Sequence, residues 1–96
     1  MKRVTVIFSS SAIDDVEQAV AYYEEKQTDL GKRFAAQVQV TLNSIKRNPS
    51  FASVRYDNIR CARIKKFPFL VHYHIDGDAL IVSVIAVYST HKKPLW

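Results

Sequence analysis

The hydrophobic period of this chain changes once, near Ser50, and that change restricts the fold more than any other feature of the sequence. Before it, apolar residues recur at helical spacing; after it, they alternate as in strands. Ile13, Val16, Val20 and Tyr23 mark one amphipathic helix that should stop near Lys26, with Ser11 and Asp14 spaced like a capping box at its start. Phe34, Val38, Leu42 and Ile45 mark a second helix, entered through a cap at Thr28-Asp29 and Gly31 and closed by Asn48-Pro49. A link this short folds the two helices back on each other as an antiparallel hairpin.

Ahead of the helices, Val4 to Phe8 is a β-branched and aromatic run and reads as a short strand. Beyond them, Ile59–Lys66, Phe69–Ile75 and Ala79–Tyr88 read as three more. Asp76-Gly77-Asp78 is a turn between the last two, and Phe67-Pro68 is a corner between the first pair, because proline cannot sit inside a central ladder. The predicted architecture is α+β in the order β-α-α-β-β-β, a small antiparallel sheet with a helical hairpin packed on one face. With 96 residues, one domain (1–96) is expected. An apolar share of 48% argues for a folded chain. The longest apolar run is too short to span a membrane, and the N-terminus lacks the pattern of a signal peptide, so a cytoplasmic protein with no membrane partner is expected. The single cysteine, Cys61, excludes an internal disulfide and reads as a small buried hydrophobe.

Alternation predicts which side chains share a face. In the middle strand Phe69, Val71, Tyr73 and Ile75 form the core set, which sends Leu70, His72 and His74 to the open face. In the preceding strand Ala62 and Ile64 point inward, and Arg63 and Lys65 outward. Arg63, Lys65, His72 and His74 are thus expected on one exposed surface. Cations there would suit a phosphate backbone, and a histidine near its ordinary pKa can transfer protons at neutral pH. Metal-free RNA cleavage needs little more, since the 2′-hydroxyl is itself the nucleophile. On spacing alone the histidines read somewhat more readily as a solvated pair; a zinc site would lack further ligands. Past the last strand, Trp96 can either stack a base or seal the sheet edge.

The formal charge of +5 is unevenly spread. Residues 1–31 hold Lys2, Arg3 and Lys26 against Asp14, Asp15, Glu17, Glu24, Glu25 and Asp29, a net −3. The rest of the chain carries +8, with Asp57, Asp76 and Asp78 as its only acidic residues. An acidic partner for the C-terminal two thirds follows from that asymmetry.

Several stretches together resemble the RelE/ParE superfamily, the small basic toxins of type II toxin–antitoxin modules, often labelled plasmid-stabilisation proteins. They are Ala21-Tyr22-Tyr23-Glu24, Leu30-Gly31-Lys32-Arg33-Phe34, Arg47-Asn48-Pro49, Asn58-Ile59-Arg60, Lys65 to Tyr73, and Val84 to Tyr88 with the tail to Pro94 and Trp96. The resemblance covers essentially the whole chain. It implies a growth-inhibiting toxin neutralised by a cognate acidic antitoxin, with no cofactor. ParE-like members poison DNA gyrase; RelE-like members cut messenger RNA in the ribosomal A site through basic residues on the open sheet face and near the C-terminus.

Arg63 and Lys65 match the paired basic residues of the nucleases, and His91 before a C-terminal aromatic is similar to their histidine-dependent branch. Leu70 stands where many nucleases carry an arginine, and Lys92-Lys93-Pro94 matches the ending of ParE-like members. The reading leans to a gyrase poison, with a ribosome-dependent endoribonuclease or a non-toxic antitoxin-binding module as alternatives. Candidate proton-transfer and phosphate contacts are Lys65, His72, His74, His91 and Lys92; candidate nucleic-acid or target contacts are Arg60, Arg63, Lys66, Lys93 and Trp96.

Overall fold

The elements run β1 (Thr5–Phe8), α1 (Ser10–Lys26), α2 (Leu30–Arg47), β2 (Val54–Tyr56), β3 (Ile59–Arg63), β4 (Phe69–Asp76) and β5 (Ile81–Ser89). The computed structural model describes residues 4–77 and 81–90. The expected α+β order holds, with one strand added: β2, ahead of β3. Strand order in the sheet is β1-β5-β4-β3-β2. All pairs are antiparallel except β1 with β5, so the sheet is mixed. The parallel pair is possible because the helical hairpin and three strands separate β1 from β5 in sequence, long enough for a crossover.

Strand β2 has a local cause that the sequence reading passed over. Asp57 and Asn58 both take positive φ, 42° and 64°, as a two-residue hairpin turn demands. Asp and Asn tolerate that conformation better than other non-glycine residues. The turn folds Val54–Tyr56 onto β3, with a register irregularity between Val54 and Tyr56.

The core lies between the sheet and the hairpin. Phe34, Val38, Leu42 and Ile45 are buried, and so are Ala62, Ile64, Val71, Tyr73, Val82, Val84 and Val87 beneath them. Phe69 and Ile75 pack partly buried against this cluster, as the alternation of β4 requires. Tyr23, Phe34, Phe67 and Phe69 form an aromatic group with centroids 4.9–6.0 Å apart, mostly edge-on. On α1 the buried face differs from expectation. Ala12 and Ala19 are buried, Val16, Val20 and Tyr23 are half-buried, and Ile13 is 46% exposed. Small alanines let α1 lie close to its neighbours, which turns Ile13 toward the rim.

Two polar devices fix the helices. Ser9, not Ser11, caps α1, its Oγ accepting from Ala12 N at 3.0 Å. The same hydroxyl donates to Ile85 O at 3.1 Å, and Asp15 Oδ2 accepts from Val87 N at 3.0 Å. In the β4–β5 ladder His72 pairs with Ala86 but Tyr73 with Val84, so Ile85 is an extra residue, a β-bulge. β1 ends opposite Val84, and the first turns of α1 take over the backbone groups that this leaves exposed on β5. At the hairpin, Asp29 sits at φ 69° and its side chain makes no capping bond. Glu24 caps α2 instead: its carboxylate accepts from Asp29 N at 2.9 Å and Gly31 N at 3.0 Å. A Cβ on Gly31 would come 2.6 Å from Val20 O, so only glycine lets the helices meet there.

Candidate functional site

The face of the sheet away from the helices carries the site residues in cross-strand rows. Arg63, Leu70 and Tyr88 form one row and Cys61, His72 and Ala86 the next. His74 opposes Ser83 one step further along β4.

His72 corrects the sequence reading. It leaves the core face, as alternation predicts, but it is 1% exposed rather than open to solvent. Tyr56 on β2 and Tyr88 on β5 flank it, with ring centroids 5.9 and 5.3 Å away. Its Nδ1 shares a hydrogen bond with Tyr56 Oη at 3.0 Å, in a direction set by the imidazole tautomer, and lies 3.6 Å from Cys61 Sγ. Burial pushes the imidazole below its ordinary pKa, opposed by the carboxylate of Asp15. Burial also pushes the Tyr56 phenol and the Cys61 thiol up, the latter opposed by Arg55. The group is a neutral, desolvated cluster, in which Cys61 is the buried hydrophobe its sequence context suggested.

His74 is half-buried, with Nδ1 3.2 Å from Asp76 Oδ1. It stands about 13 Å along the strand from Leu70 at ordinary strand rise. Among the described residues, no three His, Cys, Asp or Glu side chains group to hold a metal ion.

The candidate cations divide. Arg63 is exposed at the end of β3, and Lys65 is exposed in the turn that follows. Lys66, at φ 72° in that turn, lines a cleft against α2 with Arg33, Gln37 and Phe67, away from the open face. Arg60 is half-buried and already engaged by the chain. Its Nη1 donates to Ser50 O at 3.2 Å and Ala52 O at 2.6 Å, so the guanidinium holds the loop between α2 and β2. His91, Lys92, Lys93 and Trp96 lie outside the described residues. Arg63 and Lys65 are thus both exposed, at the end of β3 and in the turn that follows it. His72 is withdrawn from solvent, His74 stands apart, and Arg60 bonds the loop carbonyls.

Sequence reading missed Tyr56, and with it the cover over His72. The signal was the Tyr56-Asp57-Asn58-Ile59 hairpin turn, which brings a fifth strand and its tyrosine beside β3. Chemically, the described face offers exposed cations beside Leu70 and Tyr88 and no solvent-facing imidazole near them.

The profile of a known family, the ParE toxin of the type II toxin–antitoxin system parDE, matches residues 6–94. No curated protein sequence matches. Among solved structures, the chain is similar to the chromosomal ParDE toxin–antitoxin system from P. aeruginosa. That likeness has a TM-score of 0.76 at 9% identity, covering 90% of this chain and 95% of the other. It is also similar to the toxin–antitoxin complex RelBE2 from Mycobacterium tuberculosis, with a TM-score of 0.62 at 21% identity over 91% of this chain and 98% of the other. A YoeB/ParE toxin from Agrobacterium tumefaciens gives 0.62 at 18% identity, over 90% and 98%. At these identities the structures speak for the fold alone.

Proposed function

The chain belongs to the ParE toxin family of type II toxin–antitoxin systems, and from that premise we propose that it arrests growth by binding DNA gyrase and not by cutting RNA. It acts in the cytoplasm and is held in check by a cognate acidic antitoxin.

The observation that carries the mechanism is the state of His72. A ribonuclease that uses histidine for proton transfer needs an imidazole within hydrogen-bond reach of the 2′-hydroxyl or the leaving oxygen. On the described face the imidazole nearest Arg63 and Lys65 is sealed from solvent and held neutral by burial. Leu70, beside Arg63 in the ladder, offers no charge to a phosphate. What remains is a cationic and aromatic surface that can grip a protein. The net +8 of residues 32–96 supports an acidic antitoxin as the neutralising partner.

The test sets gyrase supercoiling beside messenger RNA cleavage on programmed ribosomes, with the same purified protein. Inhibition of supercoiling with intact message is expected. Cleaved message, lost in His91→Ala, would assign the protein to the nucleases instead.

A further inference from the structure

Between α2 and the turn after β3 lies a cleft of about 400 Å³, away from the row of Arg63, Leu70 and Tyr88. Cavities that take small ligands run from roughly 300 to 1,000 Å³. Leu30, Ala36 and Phe67 supply its apolar walls. Phe67 is buried and packs edge-on against Tyr23 and Phe34, with centroids 4.9 and 5.1 Å away. The turn itself is closed: Ile64 N donates to Phe69 O at 3.0 Å and Phe69 N to Phe67 O at 2.8 Å. Lys66 is held in it at φ 72°, a conformation that lysine adopts only where the surrounding chain imposes it. The cleft is therefore preformed.

Three polar groups meet there. Arg33 stands on the α2 side and Lys66 on the turn side, both exposed, and neither is in an ion pair among the described residues. The neighbouring carboxylates are engaged elsewhere, Glu24 with backbone N–H groups at the start of α2 and Asp29 with Lys32. The third group is Gln37. Its Oε1 is buried without a hydrogen bond, the one side-chain nitrogen or oxygen in that state among the described residues. Exposed cations alone are ordinary. An orphaned buried acceptor is rare and costs stability, so its place in a cleft between two cations is informative.

The combination selects a ligand. Cations on facing walls suit a doubly charged phosphate, the arginine through its paired N–H groups and the lysine as a point charge. The apolar walls suit a flat ring. Gln37 Oε1 asks for an N–H on that ring, and a glutamine amide turns readily about its last bond to meet a donor. Glutamine pairs with the adenine amine in this way. A fatty acid would bring no donor, and an inorganic anion would leave the walls and the amide unanswered.

We infer that the cleft between α2 and the β3–β4 turn binds an aromatic organic phosphate the size of a nucleoside monophosphate. Its phosphate lies between Arg33 and Lys66, and its amino-bearing base lies against Leu30 and Phe67 within reach of Gln37. This site stands apart from the face assigned to gyrase and does not depend on that assignment.

The full chain, isotopically labelled, is titrated with AMP and followed by NMR. Shifts are expected at the backbone amides of Arg33, Lys66 and Phe67 and at the side-chain amide of Gln37. Inorganic phosphate and adenosine, each offering half of the ligand, should bind about tenfold or more weakly. Arg33→Gln/Lys66→Asn should weaken AMP about tenfold or more at an unchanged melting temperature, because both residues are exposed and asparagine tolerates positive φ. Gln37→Leu should raise the melting temperature by removing the orphaned oxygen. It should also bind AMP no better than benzyl phosphate, which has a ring and a phosphate but no N–H donor. Shifts no larger there than at Arg63 and Lys65, or none at millimolar AMP, overturn the site. Inorganic phosphate binding as tightly as AMP marks an adventitious ion only, and a Glu-Val-Glu peptide competing on equal terms marks a protein surface; either overturns the nucleotide. A lowered melting temperature in Gln37→Leu, or an undiminished preference for AMP, overturns the part given to the amide.

Discussion

Burial decides what His72 can do. A histidine whose pKa is lowered on folding is protonated less readily in the folded chain than in the unfolded one. Stability is therefore full above the unfolded value, about 6.5, and declines as pH falls below it, by up to about 1.4 kcal/mol per pH unit until the folded form also titrates. Urea unfolding at about pH 7.5, 6.5 and 5.5 should show this decline. In His72→Gln, which keeps a polar partner for Tyr56 but cannot take a proton in this range, the part due to His72 should vanish. An identical decline in both proteins would mean that other groups drive it. Arg60 is likewise shaped by its surroundings, its Nη1 donating to two backbone carbonyls of the loop after α2.

At the level of elements, the helical hairpin depends on one carboxylate and one missing side chain. Glu24 satisfies two backbone N–H groups at the start of α2, and Gly31 lets Val20 approach. Gly31→Ala should cost about 1–3 kcal/mol, because its Cβ meets backbone that cannot shift cheaply. A fall in the urea midpoint at constant slope would register that cost; a midpoint equal to wild type would show that the helices can part without penalty. The junction of α1 and β5 is a second such point. Asp15→Ala strips the partner from Val87 N beside the bulge and should cost about 1–3 kcal/mol. Hydrogen exchange at Val87 should accelerate well beyond that at Val71 in the same variant. Equal protection would show that solvent or another group replaces the carboxylate.

Across the described molecule, the carboxylates concentrate on one element: α1 holds Asp14, Asp15, Glu17, Glu24 and Glu25 against Lys26 alone, while α2 holds Lys32, Arg33, Lys46 and Arg47 and no carboxylate. Arg55, Arg63 and Lys65 add exposed cations on the strands and turns of the sheet. An acidic antitoxin would be steered away from α1 and toward α2 and the sheet, so raising salt from about 0.1 M to about 0.5 M should weaken the complex mainly through its association rate. Arg63→Glu/Lys65→Glu should reduce gyrase inhibition about tenfold or more without lowering the melting temperature, since both residues are exposed. Full inhibition by that variant would move the target surface elsewhere.

The sequence by itself determined what depends on local period and chain order. The second helix with Phe34, Val38, Leu42 and Ile45 inward, the core set of β4, the corner at Phe67-Pro68, and the turn at Gly77, which takes φ 57°, were all legible there. So was the family, because its signature residues are structural: Glu24 and Gly31 lock the hairpin, and Tyr73 and Arg60 tie the loop after Pro49 to the sheet. Only the tertiary structure decided how exposed the site residues are. Alternation says which face a strand residue takes, but not what lies over that face. Tyr56 reaches His72 from a strand created by a two-residue turn, and Tyr88 reaches it from the other side. The bulge at Ile85 and the parallel pairing of β1 were equally illegible, since both are settled by backbone groups that meet across most of the chain. Exposure belongs to the assembled fold, and the chemistry open to His72 followed from it.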